Sequence, residues 1–177
     1  MLKTIFLGLL TAIAAFAIYI AAQPSEFSVK REAVISAPPD AVFAQVNDFH
    51  KWEAWSPWAK RDPNAKATFE GEASGKGAGF GWSGNSEIGE GKMLITESTP
   101  NERIRMRLDF TKPWPATNDT LFTFKPEGQG TRMTWEMSGH NNFIGRVFCF
   151  FMDMDKMVGA DFEQGMANIG GVLKPKA

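Results

Sequence analysis

Few side chains in this 177-residue chain have the types and spacing that catalysis requires. The two histidines, His50 and His140, are far apart, and neither lies near further ligands at the spacing of a metal site. Asp153 and Asp155 flank a methionine at the start of a predicted helix, where the positive end of the helix dipole accounts for both carboxylates. The sequence contains neither a nucleophilic serine motif nor a phosphate-binding loop. We therefore predict no catalytic residue, no bound metal and no cofactor.

Large apolar side chains are placed more regularly, and they suit the binding of a hydrophobic molecule. Met106 and Phe110 share one face of a predicted strand with arginines on the other face, and Trp135 has the same inward placement on a later strand. Such side chains bind apolar ligands by burying surface, and methionine adapts to several ligand shapes. Trp52, Trp55 and Trp58 recur every three residues, and core packing is the favoured interpretation for them. Trp55 and Trp114, which lie at bends, are also candidates to guard the opening of the site. The predicted ligand-binding residues are Trp55, Phe80, Trp82, Met106, Phe110, Trp114, Phe122, Phe124, Trp135, Phe162 and Met166.

A long helix near the C-terminus must position part of this set. The stretch from Met154 to Leu173 has apolar residues at steps of three or four and is predicted to be amphipathic. Each of its four glycines costs about 1 kcal/mol relative to alanine, so packing must stabilise the helix. The predicted apolar face comprises Met154, Val158, Phe162, Met166, Ile169 and Val172, opposite Lys156, Glu163 and Lys174.

The segment before this helix has the pattern of an antiparallel sheet. Alternating residues predict a first strand over 28–37, and the prolines and Asp40 after it are typical of a helix start. Two short helices are predicted over 40–47 and 48–55. Because the later strands have one apolar and one charged face, we expect the apolar face to lie under the C-terminal helix. These later strands are predicted over 91–98, 102–110, 119–125 and 131–138.

Glycines are dense over 71–91. Three of them match the G-x-G-x-x-G pattern of dinucleotide-binding loops, but no buried strand precedes the match and no helix follows it, so we reject that interpretation. Phe80 and Trp82 alternate with these glycines, which indicates a bent or bulged strand whose backbone is approached closely. A curved sheet follows from this pattern.

The first 22 residues are predicted to be a membrane segment. Thr4 to Ala22 is almost wholly apolar and close to the length of about 20 residues that a spanning helix needs. It is either a signal anchor or a cleaved signal peptide, and the poor match to a cleavage site favours the anchor. Lys3 favours a cytoplasmic N-terminus, hence a single-pass protein whose soluble domain is extracytoplasmic, or periplasmic if bacterial. Residues 23–27 then form a linker, and 28–177 the soluble domain.

A second apolar patch lies over 142–151. It is predicted to be helical and to pack in the core, although an exposed aromatic face near the anchor would also suit contact with lipid. Its Cys149 is the only cysteine, which excludes an intrachain disulfide and favours a buried, inert thiol. The net charge of -1 and pI near 6.1 give no general attraction to nucleic acid, so we predict no nucleic-acid partner. The sequence does not indicate a protein partner.

Five short motifs, in the order of these elements, resemble a known family. They are Trp52-x-x-Trp55-Ser56-Pro57-Trp58, Gly79-Phe80-Gly81-Trp82, Asp109-Phe110-x-Lys112-Pro113, Gly130-Thr131-x-Met133-Thr134-Trp135 and Asp161-Phe162-Glu163-x-Gly165. Over roughly residues 26–174 the chain resembles the polyketide cyclase/dehydrase branch of the START-like (SRPBCC, Bet v 1-like) superfamily. The resemblance implies an α+β helix-grip fold, in which a curved antiparallel sheet wraps around a long C-terminal helix, with two short helices after the first strand.

The resemblance also implies a deep apolar cavity between sheet and helix that holds lipids, sterols or polyketides and in some members catalyses cyclisation or dehydration. Our leading hypothesis is a membrane-anchored, non-catalytic domain that binds a lipid or polyketide-like molecule. One alternative is a cyclase, aromatase or hydrolase, which would need an inward-facing titratable group. Another is a solidly packed domain that docks a protein partner through the surface over 143–151.

Overall fold

The computed structural model describes residues 1–174, so the last three residues of the predicted domain 28–177 lie outside the described residues. Its elements are α1 (Leu2–Ala21), β1 (Glu26–Ile35), α2 (Pro39–Val46), α3 (Trp52–Trp55), β2 (Lys66–Gly71), β3 (Ala78–Ser83), β4 (Glu90–Thr99), β5 (Arg103–Lys112), β6 (Ala116–Glu127), β7 (Gly130–His140), α4 (Phe143–Phe151) and α5 (Met154–Leu173). The seven strands form one antiparallel sheet in the order β1-β7-β6-β5-β4-β3-β2. α5 lies on its inner face, chiefly against β1. The predicted helix-grip fold is therefore confirmed.

The N-terminal helix α1 stands apart from the sheet over most of its length. It has 20 residues and a mean hydropathy of 2.3, so it is long and apolar enough to cross a membrane. Its side chains are largely exposed, but Ile20 in the last turn is fully buried. The end of α1 therefore contacts the rest of the protein, while the remainder of the helix does not.

The glycine-rich region forms a hairpin instead of the single bent strand predicted from the sequence. β2 and β3 pair over six residues each, and the register shifts lie in the pairing of β4 with β5, near Gly91 and Ile95. The predicted close approach to a glycine backbone occurs at Gly91, where a Cβ would lie 2.5 Å from the indole ring of Trp82. Gly91 thus leaves room for that ring to lie against β4.

The core lies between the inner face of the sheet and α5. Pairing places Trp135, Phe122 and Ile104 in one row across three strands, all buried. From α5, Phe162 stacks on Trp135 with ring centroids 4.2 Å apart and an interplanar angle of 8°. The bounds predicted for this helix are confirmed. Val172, however, is exposed, because the last turn has open space beside it at Gly171.

Arg31 joins β1 to α5 by ion pairs. It lies opposite Trp135 in the register and therefore points to the helix side of the sheet. Its guanidinium donates to Asp155 at 2.8 and 3.1 Å and to Glu163 at 3.0 Å, beside the bare backbone of Gly159. The sequence pattern placed Glu163 on the solvent side of α5. Its side chain is indeed 62% exposed, and from there its carboxylate accepts the hydrogen bond from Arg31 of the edge strand.

The core placement predicted for residues 142–151 is wrong. None of the residues of α4 is buried. The helix packs beside the end of α1, where the rings of Phe150 and Phe16 are 5.5 Å apart. Cys149 is half-buried, accepts a hydrogen bond from the Asn141 amide at 3.4 Å, and has a thiol pKa raised by burial. The inner face of the sheet is already covered by α5, so α4 cannot pack there. It packs instead against the apolar side chains of α1.

Two glycines of α5 give a matched test of this packing. Gly165→Ala should lower the free energy of unfolding by about 1–3 kcal/mol, because the new Cβ would lie 2.9 Å from the Trp135 ring and 3.5 Å from Trp55. Gly171→Ala, in open space, should be neutral or stabilising by up to about 1 kcal/mol. Chemical unfolding of the full chain in detergent, followed by tryptophan fluorescence, measures both. Equal effects of the two substitutions would contradict the packing described.

The Arg31–Asp155 pair should make stability depend on pH in the acid range. The hydrogen bond from Arg31 lowers the pKa of Asp155 below its usual value. The stabilisation is therefore present above the ordinary aspartate pKa of about 4 and is lost as pH falls through the lower, folded-state pKa. Asp155→Asn should flatten the unfolding free energy against pH in that window, and Arg31→Met should flatten it similarly. An unchanged acid profile in both variants would show that the pair contributes nothing.

Candidate functional site

The inner face of the sheet, the helical segment over 49–55 and α5 together form a continuous array of aromatic rings. Strand alternation places the β-strand members on one face, and one turn of helix places Trp52 and Trp55 side by side, with ring centroids 4.7 Å apart. Each member has the ring of another member at a centroid distance of 4.2 to 6.3 Å. We call this set the aromatic array: Phe110, Trp82, Phe80, Phe49, Trp52, Trp55, Phe122, Trp135 and Phe162.

One end of the array, under α5, is closed. Trp55 and Phe122 are fully buried, and Trp135 and Phe162 nearly so. These rings pack against one another and against their neighbours at the density of a protein core. The indole N–H of Trp55 donates to the Gln45 carbonyl at 3.0 Å, so its polar atom is satisfied inside the core. Met106 and Met166 are equally buried at this end.

The other end of the array is open. Phe80, Trp82 and Phe110 are only half-buried, together with the neighbouring inner-face residues Met93 and Leu108. The ring centroids of Trp82 and Phe110 are 5.6 Å apart, and the Trp82 indole donates to the Ile88 carbonyl at 3.0 Å, which fixes the ring. The accessible apolar surface of the predicted site therefore lies at the C-terminal ends of β3 and β5.

The structure does not bring every predicted residue to an opening. Trp55 is fully buried, as core packing predicts, and does not lie at an opening. Its part in ligand binding stays a prediction. Phe124 packs 5.5 Å from Phe43 of α2, at the far side of the core. Trp114 is 58% exposed in the turn between β5 and β6, away from the array's ring contacts. Its part in ligand entry stays a prediction.

Two polar residues on the inner face escaped the sequence analysis. Asn118 and Thr120 are buried and lie on β6 in alternation with Phe122, so the period of two that identified the phenylalanines would also have found them. The Asn118 amide lies 3.9 Å from the Met137 sulfur, a weak hydrogen bond. Both side chains are uncharged, so they suit the orientation of a ligand polar group more than proton transfer.

Arg31 is an ionisable group that the register places on the inner face. Hydrogen bonds from its guanidinium to Asp155 raise the pKa of Arg31 further above its already high value. It therefore stays protonated, and a general acid or base for the enzyme hypothesis would have to be another group. Apolar binding with neutral hydrogen-bonding partners is the chemistry that this face supports.

Two surface grooves lie elsewhere on the molecule. One, of about 400 Å³, lies between α5 and the segment after α3, and the ion pair of Arg61 with Asp161 crosses it. The other, of about 390 Å³, lies at the paired ends of β1 and β7, beside Phe27 and His140. Neither groove is lined by a residue of the predicted ligand-binding set.

The comparison with known families decides the assignment. The family model described as polyketide cyclase / dehydrase and lipid transport matches residues 26–174. The chain belongs to this family. The match covers all seven strands and α5 and leaves out α1, so the N-terminal helix is an addition to the family domain. The family resemblance inferred from the five motifs is confirmed.

Solved structures share the fold of this polyketide cyclase family member. Protein CV1439 from Chromobacterium violaceum is 19% identical with a TM-score of 0.59, over 84% of this chain and 98% of that one. CalU16 from Micromonospora echinospora is 16% identical with a TM-score of 0.55, over 86% of each chain. Ara h 8.0201 is 11% identical with a TM-score of 0.58, over 83% of this chain and 97% of that one. No curated protein sequence matches the chain.

Trp135 should be the residue of the array on which folding depends most. Trp135→Ala should lower the free energy of unfolding by about 3–5 kcal/mol, since it removes the ring on which Phe162 stacks. Leu94→Ala, on the opposite face of the sheet and 43% exposed, should change it by less than about 0.5 kcal/mol. Denaturant unfolding of the full chain in detergent measures both. A small effect at Trp135 would mean that the closed end is not tightly packed.

Proposed function

We propose that this chain is a membrane-anchored, non-catalytic member of its family that binds a hydrophobic small molecule, lipid-like or polyketide-like. The observation that supports this most is the open end of the aromatic array. There Phe80, Trp82 and Phe110 present half-buried rings on the inner face, with Asn118 buried nearby on the same face. Apolar walls with a few polar groups are the usual composition of small-molecule sites. The family's description, which includes lipid transport, agrees with such a ligand.

The ligand would lie at the open end of the array. It could extend under α5 only if the buried rings there, such as Trp135 and Phe162, moved apart. Each 100 Å² of apolar surface removed from water contributes about 2.5 kcal/mol, so covering the half-buried rings supplies the main driving force. The stacked pair of Trp135 and Phe162 opposes deeper entry, because separating it would expose both rings. The proposed site is therefore shallower than the deep cavity expected from the resemblance.

The anchor would be α1 as a single membrane-spanning helix. Its length and hydropathy support this, and Lys3 before it favours an extracytoplasmic position for the soluble domain. The closed packing around Trp135 favours one alternative, a packed domain that docks a protein partner and binds no small molecule.

Native mass spectrometry of the full chain, purified in mild detergent from its own host, tests the binding proposal. We expect an adduct of lipid or polyketide mass that survives removal of the detergent. Phe110→Ala should weaken binding roughly tenfold and so lower the occupancy of the adduct, because losing about 1.4 kcal/mol of apolar contact is one factor of ten in affinity. Lipid bound along α1 would give a background that this substitution does not change.

Leu94→Ala is the matched control, because Leu94 lies on the outer face of the sheet and is exposed. The adduct should keep its occupancy in that variant. Equal adducts in both variants, or a clean apoprotein mass, would contradict the proposed site and favour the docking domain. Near-ultraviolet circular dichroism of each variant separates loss of binding from loss of folding.

A further inference from the structure

α4 exposes an apolar stripe that the rest of the described protein leaves largely uncovered; its one ring contact with α1 is that of Phe151 with Phe16, with centroids 6.2 Å apart. Ile144, Phe148 and Phe151 recur at steps of four and three and therefore lie on one side of the helix, and all three are exposed. Arg146 and Cys149 lie on other sides, where each hydrogen-bonds to the protein. A short helix with one large apolar side and its polar groups turned away is typical of a helix lying in the plane of a membrane interface.

The contact with α1 sets the depth of this helix. The ring of Phe150 lies 5.5 Å from that of Phe16 and 5.9 Å from that of Tyr19. Phe16 precedes the last residue of α1, Ala21, by five residues, or about 7.5 Å along the helix axis. In-plane helices bury their apolar side about 5–10 Å below the headgroup boundary. If α1 crosses a bilayer, α4 therefore lies at the depth of such a helix.

Arg146 closes the corner between the two helices. Its guanidinium donates to the carbonyl oxygens of Ala21 at 2.8 Å and Gln23 at 3.2 Å, at the end of α1 where backbone carbonyls lack helical partners. Unsatisfied carbonyls are costly near hydrocarbon, so this contact suits a corner in surroundings of low polarity. The positive charge also lies at the negative end of the α1 dipole.

The same end of the sheet holds the open end of the aromatic array. Glu26 of β1 pairs with His140 of β7, just after α1 and just before α4. Phe110 pairs with Ala116 across the turn that contains Trp114, so this exposed tryptophan lies at that end too. Tryptophan is enriched at membrane interfaces. Gln129 lies in the turn between β6 and β7, at the opposite end of the sheet. This turn is about 30 Å from the Trp114 turn, because the strands between them have ten or more residues.

We propose that the apolar stripe of α4 and the indole of Trp114 seat this end of the sheet in the lipid headgroup region, so that the open end of the array faces the bilayer. This inference rests on the proposed membrane anchor and identifies the source of the ligand. A hydrophobic molecule dissolved in the bilayer would reach Trp82 and Phe110 without crossing bulk water. Lipid is the occupant that the geometry favours, because the stripe is continuous with the exposed apolar surface of α1.

Depth-dependent fluorescence quenching on the full chain tests the seating. In a Cys149→Ala background, single cysteines replace Ile144, Trp114, Ile13 of α1 or Gln129, and each receives a bimane label. The variants are reconstituted into phosphatidylcholine vesicles with a nitroxide either near the ester group or near the end of the acyl chain. Labels at Ile144 and Trp114 should lose most of their emission to the shallow nitroxide, and the label at Ile13 to the deep one. The label at Gln129 should keep its emission with both lipids.

The quenching results distinguish an error in the proposed seating of α4 and Trp114 from an error in the proposed membrane anchor α1. If the label at Ile13 is quenched by lipid but the label at Ile144 or Trp114 is not, the anchor stands and the seating is wrong. If none of the three is quenched, both are wrong. A label at Ile144 that is shielded from nitroxide lipids and from aqueous iodide alike would show that a second copy or a protein partner covers the stripe, which also overturns the seating.

Discussion

The stacking of Phe162 on Trp135 is the contact on which the architecture depends. It joins the long helix α5 to β7, next to the edge strand β1, and it requires the two backbones to approach closely. Gly165, one turn along from Phe162, allows that approach because its bare backbone lies against the Trp135 and Trp55 rings. The helix propensity lost at the glycines of α5 is thus offset by burial of large aromatic surfaces. Arg31 reinforces the same junction, with its guanidinium placed beside Gly159.

The burial of the rings decreases along the aromatic array, and ligand binding is expected where the rings are least buried. Under α5 the rings fill the space between sheet and helix. Toward Trp82 and Phe110 the helix no longer covers the sheet, and the same kind of side chain is left half-buried. One pattern of alternating aromatic residues therefore fills the core at one end and leaves apolar surface accessible at the other. Nothing in the local sequence separates the two uses, because both require an apolar side chain on the inner face.

The two ends of the sheet also differ in their surroundings. At one end lie α1, α4 and the turn with Trp114, all apolar and exposed, while the turns at the other end contain residues such as Glu102 and Gln129. Because strands are antiparallel, the chain enters and leaves the sheet at the same end, which brings the N-terminal helix and α4 together. The fold thus concentrates its uncovered apolar surface beside the open end of the array.

The sequence by itself determined the long C-terminal helix and the inward faces of the later strands. The period of 3.6 gave α5 the bounds Met154 to Leu173, and the period of two placed Met106, Phe110 and Trp135 on the inner face, because both are local properties of the backbone. Tertiary structure alone decided which apolar residues are covered. The burial of Trp55, the exposure of α4 and the pairing of Glu163 with Arg31 depend on partners distant in the chain. A single sequence specifies a face but not what packs against it, and for that reason the closed and open ends of the site were not distinguishable before the fold was known.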